Sequence, residues 1–270
     1  MPANSPVASL NGKISQKKLI IFTRSRCMKL LGNEILATDL DNTLVGHNEK
    51  LEQLWTYFQS QNIDISLIYI TGRHFSSAMD LIEQQNLPKP NILVCDVGAT
   101  IYIGPDLKED DQWRIITSAD WNPDLILRVT NQYEAFERQP LPNDYRLSFT
   151  VLNNPGCVKE VEETLNLYSL AFHLIYSSNK DVDILPSHTN KGAALKYVLE
   201  KYAPENPNIL IAGDSGNDVD MMKLGLPSVI VGNSQNELRR YSYLPNVYLA
   251  NESFASGIQE GWSYFYQSTY

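Results

Sequence analysis

Asp39 and Asp41, in the run Asp39-Leu40-Asp41-Asn42-Thr43, are the first residues in the chain whose types and spacing suggest chemistry. Two carboxylates brought to one crevice repel each other unless a cation or a proton stands between them. Donors that are all oxygen suit a hard divalent ion. The same pattern also serves as a helix-capping turn, so it needs company, and three other segments supply it. Thr71-Gly72-Arg73 offers a hydroxyl and main-chain amides at the start of a helix, which is a seat for an anion. Lys191-Gly192 places a cation where a helix opens, although by itself it reads as a solvated surface lysine. Gly213-Asp214-Ser215-Gly216-Asn217-Asp218 sets two carboxylates four residues apart in a turn that its glycines permit. A calcium loop would need more spaced ligands and a terminal glutamate, and this segment has neither.

The elements that must position these residues alternate. Residues 34–40, 63–70, 92–95, 208–212 and 228–231 read as short buried strands, with a hairpin strand over 100–103. Helical spacing over 51–58, 74–85 and from Lys191 to Tyr202 separates them, with short helices after Asp218 and near Glu237 and a last helix from Ser256. Strands alternating with helices predict a Rossmann-like parallel sheet covered on both faces, an α/β fold. Ligand sites in such sheets lie beyond the carboxyl ends of the strands, where all four segments fall. The rhythm breaks over residues 105–189. Helices over 123–136 and 158–168 with strands over 145–152, 171–177 and 182–185 predict a small inserted α+β domain. The expected core is therefore discontinuous, 34–104 and 190–270.

The order Asp-x-Asp-x-Thr, Thr, Lys, Gly-Asp-x-x-x-Asp resembles the haloacid dehalogenase superfamily of phosphatases, and the insert between the Thr and Lys motifs resembles its C2-type cap. A narrower resemblance rests on the stretches Ala37 to Gly46, Tyr69-Ile70-Thr71-Gly72-Arg73, Tyr176 to Pro186, Thr189-Asn190-Lys191-Gly192, Gly213 to Met221 and Val231 to Leu238. Together these are similar to the sucrose-phosphate phosphatase (sucrose-6F-phosphate phosphohydrolase) family of cyanobacteria and plants. The resemblance implies magnesium-dependent hydrolysis of a sugar phosphate, sucrose 6-phosphate first. It implies Asp39 as nucleophile and Asp41 as the acid and then the base. Magnesium would bridge Asp39, Asp214 and the phosphate with the Asp41 carbonyl as a further ligand, while Asp218 holds a metal-bound water or orients Lys191. Lys191, Thr71, Asn217 and the amides near Gly72 and Asn42 would meet the phosphate. Ser178, Asn179, Lys180 and Asp183, near the cap-to-core junction, are the sugar-binding candidates. His188 close by reads as structural.

Composition narrows the remaining classes. The 270 residues carry a formal net charge of −9, which argues against a bulk-electrostatic nucleic-acid binder and against adhesion to an anionic membrane. Three cysteines, Cys27, Cys95 and Cys157, stand far apart in no metal pattern, which fits unpaired thiols and a cytoplasmic protein. Residues 1–33 hold Lys13, Lys17, Lys18, Arg24, Arg26 and Lys29 and no acidic residue. They read as a basic, poorly ordered extension, with translation from Met28 or a transit peptide as alternatives. Asn251-Glu252-Ser253 matches a glycosylation sequon, taken as chance. Competing functions are a phosphatase for another glycosyl phosphate, such as a glycosylglycerate or mannosylfructose phosphate, a phosphosugar mutase, and a non-catalytic partner of a sucrose-phosphate synthase.

Overall fold

The structure, a computed structural model, describes residues 30–267. The basic segment 1–29, with Cys27 and the alternative start at Met28, lies outside the described residues. In chain order the first part runs β1 (Glu34–Thr38), α1 (Asn48–Ser60), β2 (Ile65–Ile70), α2 (Phe75–Gln84), β3 (Ile92–Cys95), β4 (Thr100–Ile103), β5 (Lys108–Glu109) and α3 (Asp111–Ser118). A middle part follows: α4 (Pro123–Thr130), β6 (Glu137–Gln139), β7 (Leu147–Thr150), α5 (Pro155–Leu167), β8 (Phe172–Ser177) and β9 (Asp181–Pro186). The last part is α6 (Lys191–Tyr202), β10 (Asn208–Gly213), α7 (Val219–Met222), β11 (Ser228–Ile230), α8 (Asn236–Arg239), β12 (Val247–Leu249) and α9 (Ala255–Tyr266).

The large sheet has the order β12-β11-β10-β1-β2-β3-β4-β5. Every pairing from β12 to β3 is parallel, and β4 and β5 turn back antiparallel at one edge. β1 is central, with Ile35 opposite Ile209 on one side and Ser66 on the other. Alternate residues of each strand serve opposite faces. Leu36, Tyr69 and Leu210 pack with Phe58 of α1 and Trp262 of α9. Ile35, Ile68 and Ile211 pack with Leu195 and Val198 of α6. Both faces are covered, which is why the strands read as nearly unbroken apolar runs.

The middle part forms a second sheet, β6-β7-β9-β8, with all pairings antiparallel. Leu147, Phe149, Val182 and Ile184 point to α4 and α5 and pack on Ile126, Val129, Val161 and Leu165. The other face is polar. Ser148 stands opposite Asp183 and Thr150 opposite Asp181, and Gln139 donates to both Thr150 and Asp181.

Two details differ from the sequence expectation. The break expected at residue 105 comes later, because β5 pairs with β4 and Trp113 of α3 is buried in the core of the large sheet. Asp110 caps α3, accepting from the amides of Gln112 and Trp113. The helix expected over 123–136 stops at Thr130. Asn131 caps it, Tyr133 and Phe136 follow in turns, and residues 137–139 become an edge strand.

Candidate active site

The site forms where the central strands end. Asp39 follows β1, its amide continuing the parallel ladder to the carbonyl of Ala212 at 3.1 Å. Asp214 follows β10, and Asp218 sits in the tight turn beyond it. Lys191 opens α6, whose cap is Asn190 accepting from the amide of Ala193. All four side chains are buried. The Lys191 ammonium donates to Asp39 Oδ1 at 2.6 Å and to Asp218 Oδ1 at 2.7 Å. Asp218 Oδ2 accepts from the amides of Asp214 and Ser215. Both oxygens of Asp218 are thus committed, one to its own turn and one to Lys191. Asp214 Oδ1 accepts from the Thr43 hydroxyl at 3.1 Å.

Oxygens of Asp39, Asp214 and Asp218 lie within 4.8 Å of one another around this single ammonium. Burial, with the neighbouring carboxylates adding to it, pushes Asp39 and Asp214 well above the usual carboxylate range. Burial works against the charge on Lys191, but Asp218 and Asp39 outweigh it, so the ammonium is held more strongly than usual. Three carboxylates against one cation leave the cluster short of positive charge. The second oxygens of Asp39 and Asp214 accept no hydrogen bond from the described residues. Hard oxygen donors with an unmet negative charge fit magnesium.

Thr71 and Gly72 follow β2 beside this cluster. The Thr71 hydroxyl accepts from the amide of Arg73 at 3.1 Å. Asn217 faces Gly72, its amide nitrogen 4.0 Å from where a Cβ on that glycine would stand. Asn42 has a left-handed backbone, φ 60°, and its carbonyl accepts from the side chain of Asn233 at 2.7 Å. Asp39, Lys191, Asp214 and Asp218 meet in one buried cluster, with Thr71, Gly72 and Asn217 at the neighbouring strand end.

Asp41 does not join them. Its carboxylate takes a two-point ion pair from Arg73, Nε to Oδ2 at 2.7 Å and Nη2 to Oδ1 at 2.8 Å, and stands outside the three-carboxylate cluster. A guanidinium fork matches both oxygens of a carboxylate, which a lysine could not do. The Asp41 carboxylate therefore offers no oxygen to the three-carboxylate cluster. Arg73 lay inside the Thr71-Gly72-Arg73 motif, yet its type and its place at a helix opening were the only signals of this role.

The residues expected to bind sugar divide. Ser178, Asn179 and Lys180 form the exposed hairpin turn between β8 and β9, with φ near 55° and 51° at the first two. This turn leans on the large sheet's loops. Glu237 Oε1 accepts from the Ser178 amide at 3.0 Å and from the Gly216 amide at 2.9 Å. A Cβ on Gly216 would come within 2.8 Å of that oxygen, so a side chain there would have to displace the Glu237 carboxylate. Asp183 is buried on the polar face of β9, and its carboxylate is taken by Arg146 and the Ser148 hydroxyl. Its carboxylate is thus engaged within the small sheet, unlike the exposed turn residues. His188 is exposed at the junction with φ 64°, as a structural turn residue would be. Arg146 carries contacts that no motif announced, while Thr43 and Glu237 lie in quoted segments that gave them no role.

An open sheet with aspartates beyond its central strand, a buried lysine and a second acidic loop defines a haloacid dehalogenase-like hydrolase fold, shared with solved members of that class. The model of the Sucrose-6F-phosphate phosphohydrolase family matches residues 32–266, and the chain belongs to that family. It is 32% identical over 236 residues to a glucosylglycerol-phosphate synthase of Pseudomonas anguilliseptica, covering 86% of this chain and 30% of that protein. It is 27% identical over 251 residues to sucrose-phosphatase 1 of Nicotiana tabacum, covering 86% of this chain and 59% of that protein. The chain thus spans well under two thirds of either relative. Among solved structures, the sucrose-phosphatase of Synechocystis sp. PCC6803 in complex with sucrose and phosphate aligns with a TM-score of 0.79 at 32% identity, covering 86% of this chain and 98% of that one.

Proposed function

We propose that this chain is a magnesium-dependent sugar-phosphate phosphatase, with sucrose 6-phosphate as the first candidate substrate. The observation that carries the reading is the buried Asp39–Lys191–Asp218 chain with Asp214 beside it. Lys191 holds one oxygen of Asp39, which leaves the other to attack phosphorus. The bond from phosphorus to the sugar oxygen breaks, an aspartyl-phosphate forms on Asp39, and the departing sugar oxygen takes a proton from Asp41. A water then attacks the phosphorus, gives its proton to Asp41 and releases Asp39 and phosphate. Arg73 donates once to each Asp41 oxygen, so these proton transfers take place on a carboxylate that a guanidinium already contacts. Asp39, Asp214 and the Asp41 carbonyl would hold magnesium, which would neutralise charge on the transferred group. Asp218 orients Lys191. Thr71, Gly72, Asn42 and Asn217 seat the phosphate oxygens.

The polar face of the small sheet, with the turn at Ser178–Lys180, would meet the sugar. The match to a glucosylglycerol-phosphate synthase favours a second substrate, a glycosylglycerol phosphate, over other sugars. A sucrose-phosphate synthase is the candidate partner, as the enzyme class that would supply the first substrate. Unpaired Cys95 and Cys157 fit a cytoplasmic setting, and among the described residues no helix is long and apolar enough to cross a membrane. The deciding experiment measures phosphate release from a panel of sugar phosphates with and without magnesium. Fast, magnesium-dependent release from sucrose 6-phosphate supports the reading. No release from any member refutes it, and preference for a glucosylglycerol phosphate selects the second substrate.

A further inference from the structure

Arg146 stands just before β7 in the small sheet and is one of two buried cations among the described residues. Its Nη1 donates to Asp183 and Ser148 within the small sheet. Its other donors cross to the large sheet. Nε reaches Asp96 Oδ1 at 3.3 Å, and Nη2 reaches the carbonyl of Gly72, inside the segment that would seat the phosphate. Asp96 begins a turn with an unusual backbone: φ is 54° at Asp96, 55° at Val97 and 99° at Gly98. A left-handed β-branched residue such as Val97 is a true outlier, and such backbones persist only where surroundings over-determine them.

The surroundings here are the site. The Asp96 amide donates to the carbonyl of Arg73 at 2.9 Å, and the Val97 amide to that of Thr71 at 3.1 Å. On its other side, a Cβ on Gly98 would lie 2.4 Å from the carbonyl oxygen of Asn190 and 2.9 Å from the amide of Lys191. One strained turn thus touches the phosphate seat and the start of the helix bearing Lys191, and Arg146 fastens it to the small sheet.

We infer that Arg146 is a positioning residue: it couples the seating of the small sheet to the geometry of Thr71–Arg73 and Lys191, so that phosphoryl transfer depends on it even for a substrate too small to reach the small sheet. This rests on the phosphatase reading above. Misplacement of a reacting group by about 1 Å costs on the order of a hundredfold in rate.

The test compares the wild type with Arg146→Met and Arg146→Lys on sucrose 6-phosphate and on a small aryl phosphate, with amide hydrogen exchange on the same proteins. Arg146→Met should lower kcat on both substrates by a similar factor, on the order of a hundredfold, with Arg146→Lys between it and the wild type. The amides of Arg73, Asp96 and Val97 should exchange faster in both variants while those of β1 and β10 stay protected. A loss confined to the sugar phosphate, expressed in KM, would make Arg146 a sugar ligand and overturn the inference. A lower melting temperature with unchanged kcat and unchanged exchange at these amides would overturn it too. If Arg146→Met does not fold, Arg146→Lys carries the same expectations. If the wild type hydrolyses neither substrate, the phosphatase reading fails and the exchange measurement alone decides on Arg146.

Discussion

Lys191 and Arg146, the two buried cations among the described residues, sit in environments that differ in one respect. Lys191 faces Asp39 and Asp218 with Asp214 close by, and the group lacks positive charge. Arg146 faces Asp96 and Asp183, and its remaining donors end on a hydroxyl and a carbonyl. The first cluster is open to a further ion. The second spreads its charge over a planar fork with a partner on every nitrogen. A buried ion pair says little about stability by itself, since desolvation offsets much of the attraction. What separates a reactive cluster from a fastening one here is whether the hydrogen-bonding capacity is used up.

The largest expected effect breaks the open cluster. Asp39→Asn removes the attacking oxygen, and turnover on any phosphomonoester should fall by on the order of a thousandfold or more, with the circular dichroism spectrum unchanged. Retention of more than a few per cent of activity would rule out covalent catalysis by Asp39.

Magnesium should sharpen the contrast next. Without it, the pKa values of Asp39 and Asp214 are raised by folding, so the folded protein holds protons that the unfolded chain has lost. Stability of the metal-free protein should then fall as pH rises from about 4, the ordinary carboxylate value, towards neutrality. Magnesium competes with those protons. Its stabilisation, about 2.7 kcal/mol at a hundred times Kd, should grow with pH over the same range. Thermal melts with and without magnesium from pH 5 to pH 8 check this, and a pH-independent shift would count against the Asp39–Asp214 site.

Glu237 tests whether the contact between the small sheet and the acidic loop matters as Arg146 does. Glu237→Ala strands the Ser178 and Gly216 amides, and a lost hydrogen bond to a charged group is worth about 1.5–3 kcal/mol where it is buried. This one is half-exposed, so a roughly threefold to tenfold loss of kcat/KM is expected. Steady-state kinetics on the sugar phosphate reads it, and wild-type values would leave the fastening to Arg146 alone.

The smallest effect, and the most selective, belongs to the turn. Asn179→Ala and Lys180→Ala should weaken sugar-phosphate turnover by about fivefold or more and leave hydrolysis of an aryl phosphate untouched. Equal losses on both substrates would place these side chains in the machinery instead, and no loss on either would remove them from the sugar site.

Much of the open cluster was legible in the sequence because topology does the placing. A residue just past a central parallel strand arrives at the crevice whatever else the chain does, and Asp39, Thr71 and Asp214 each stand one position beyond a strand. The fastening cluster was not legible. Arg146 and Asp96 are 50 residues apart, lie in no motif, and meet only because two sheets pack together. Asp183 shows the limit well. Alternation along β9 put it on the polar face, but nothing local says that an arginine just before β7 covers it. Asp41 shows another, since its neighbour's fork, not its spacing from Asp39, decides where its carboxylate points. The misplaced boundary near residue 105 has a similar cause: two residues of β5 are too few to carry a period, and they join the large sheet by pairing alone.

The central position of β1 has a consequence for how the molecule comes into being. β1 is flanked by β2, which is made almost at once, and by β10, which begins only at Asn208. Thr43 and Asp214, which share a hydrogen bond, are 171 residues apart. A ribosome adding about 5–20 residues per second leaves β1 with a bare hydrogen-bonding edge for on the order of ten seconds or more. During that interval the Ile35 and Ala37 side of the nascent strand has neither β10 nor α6 to cover it. An uncovered strand edge beside apolar surface is a template for pairing with another chain. The insertion of an entire second sheet between the two halves lengthens that exposure, so the polypeptide is most vulnerable to aggregation while the small sheet is already complete and the catalytic crevice has only one of its walls.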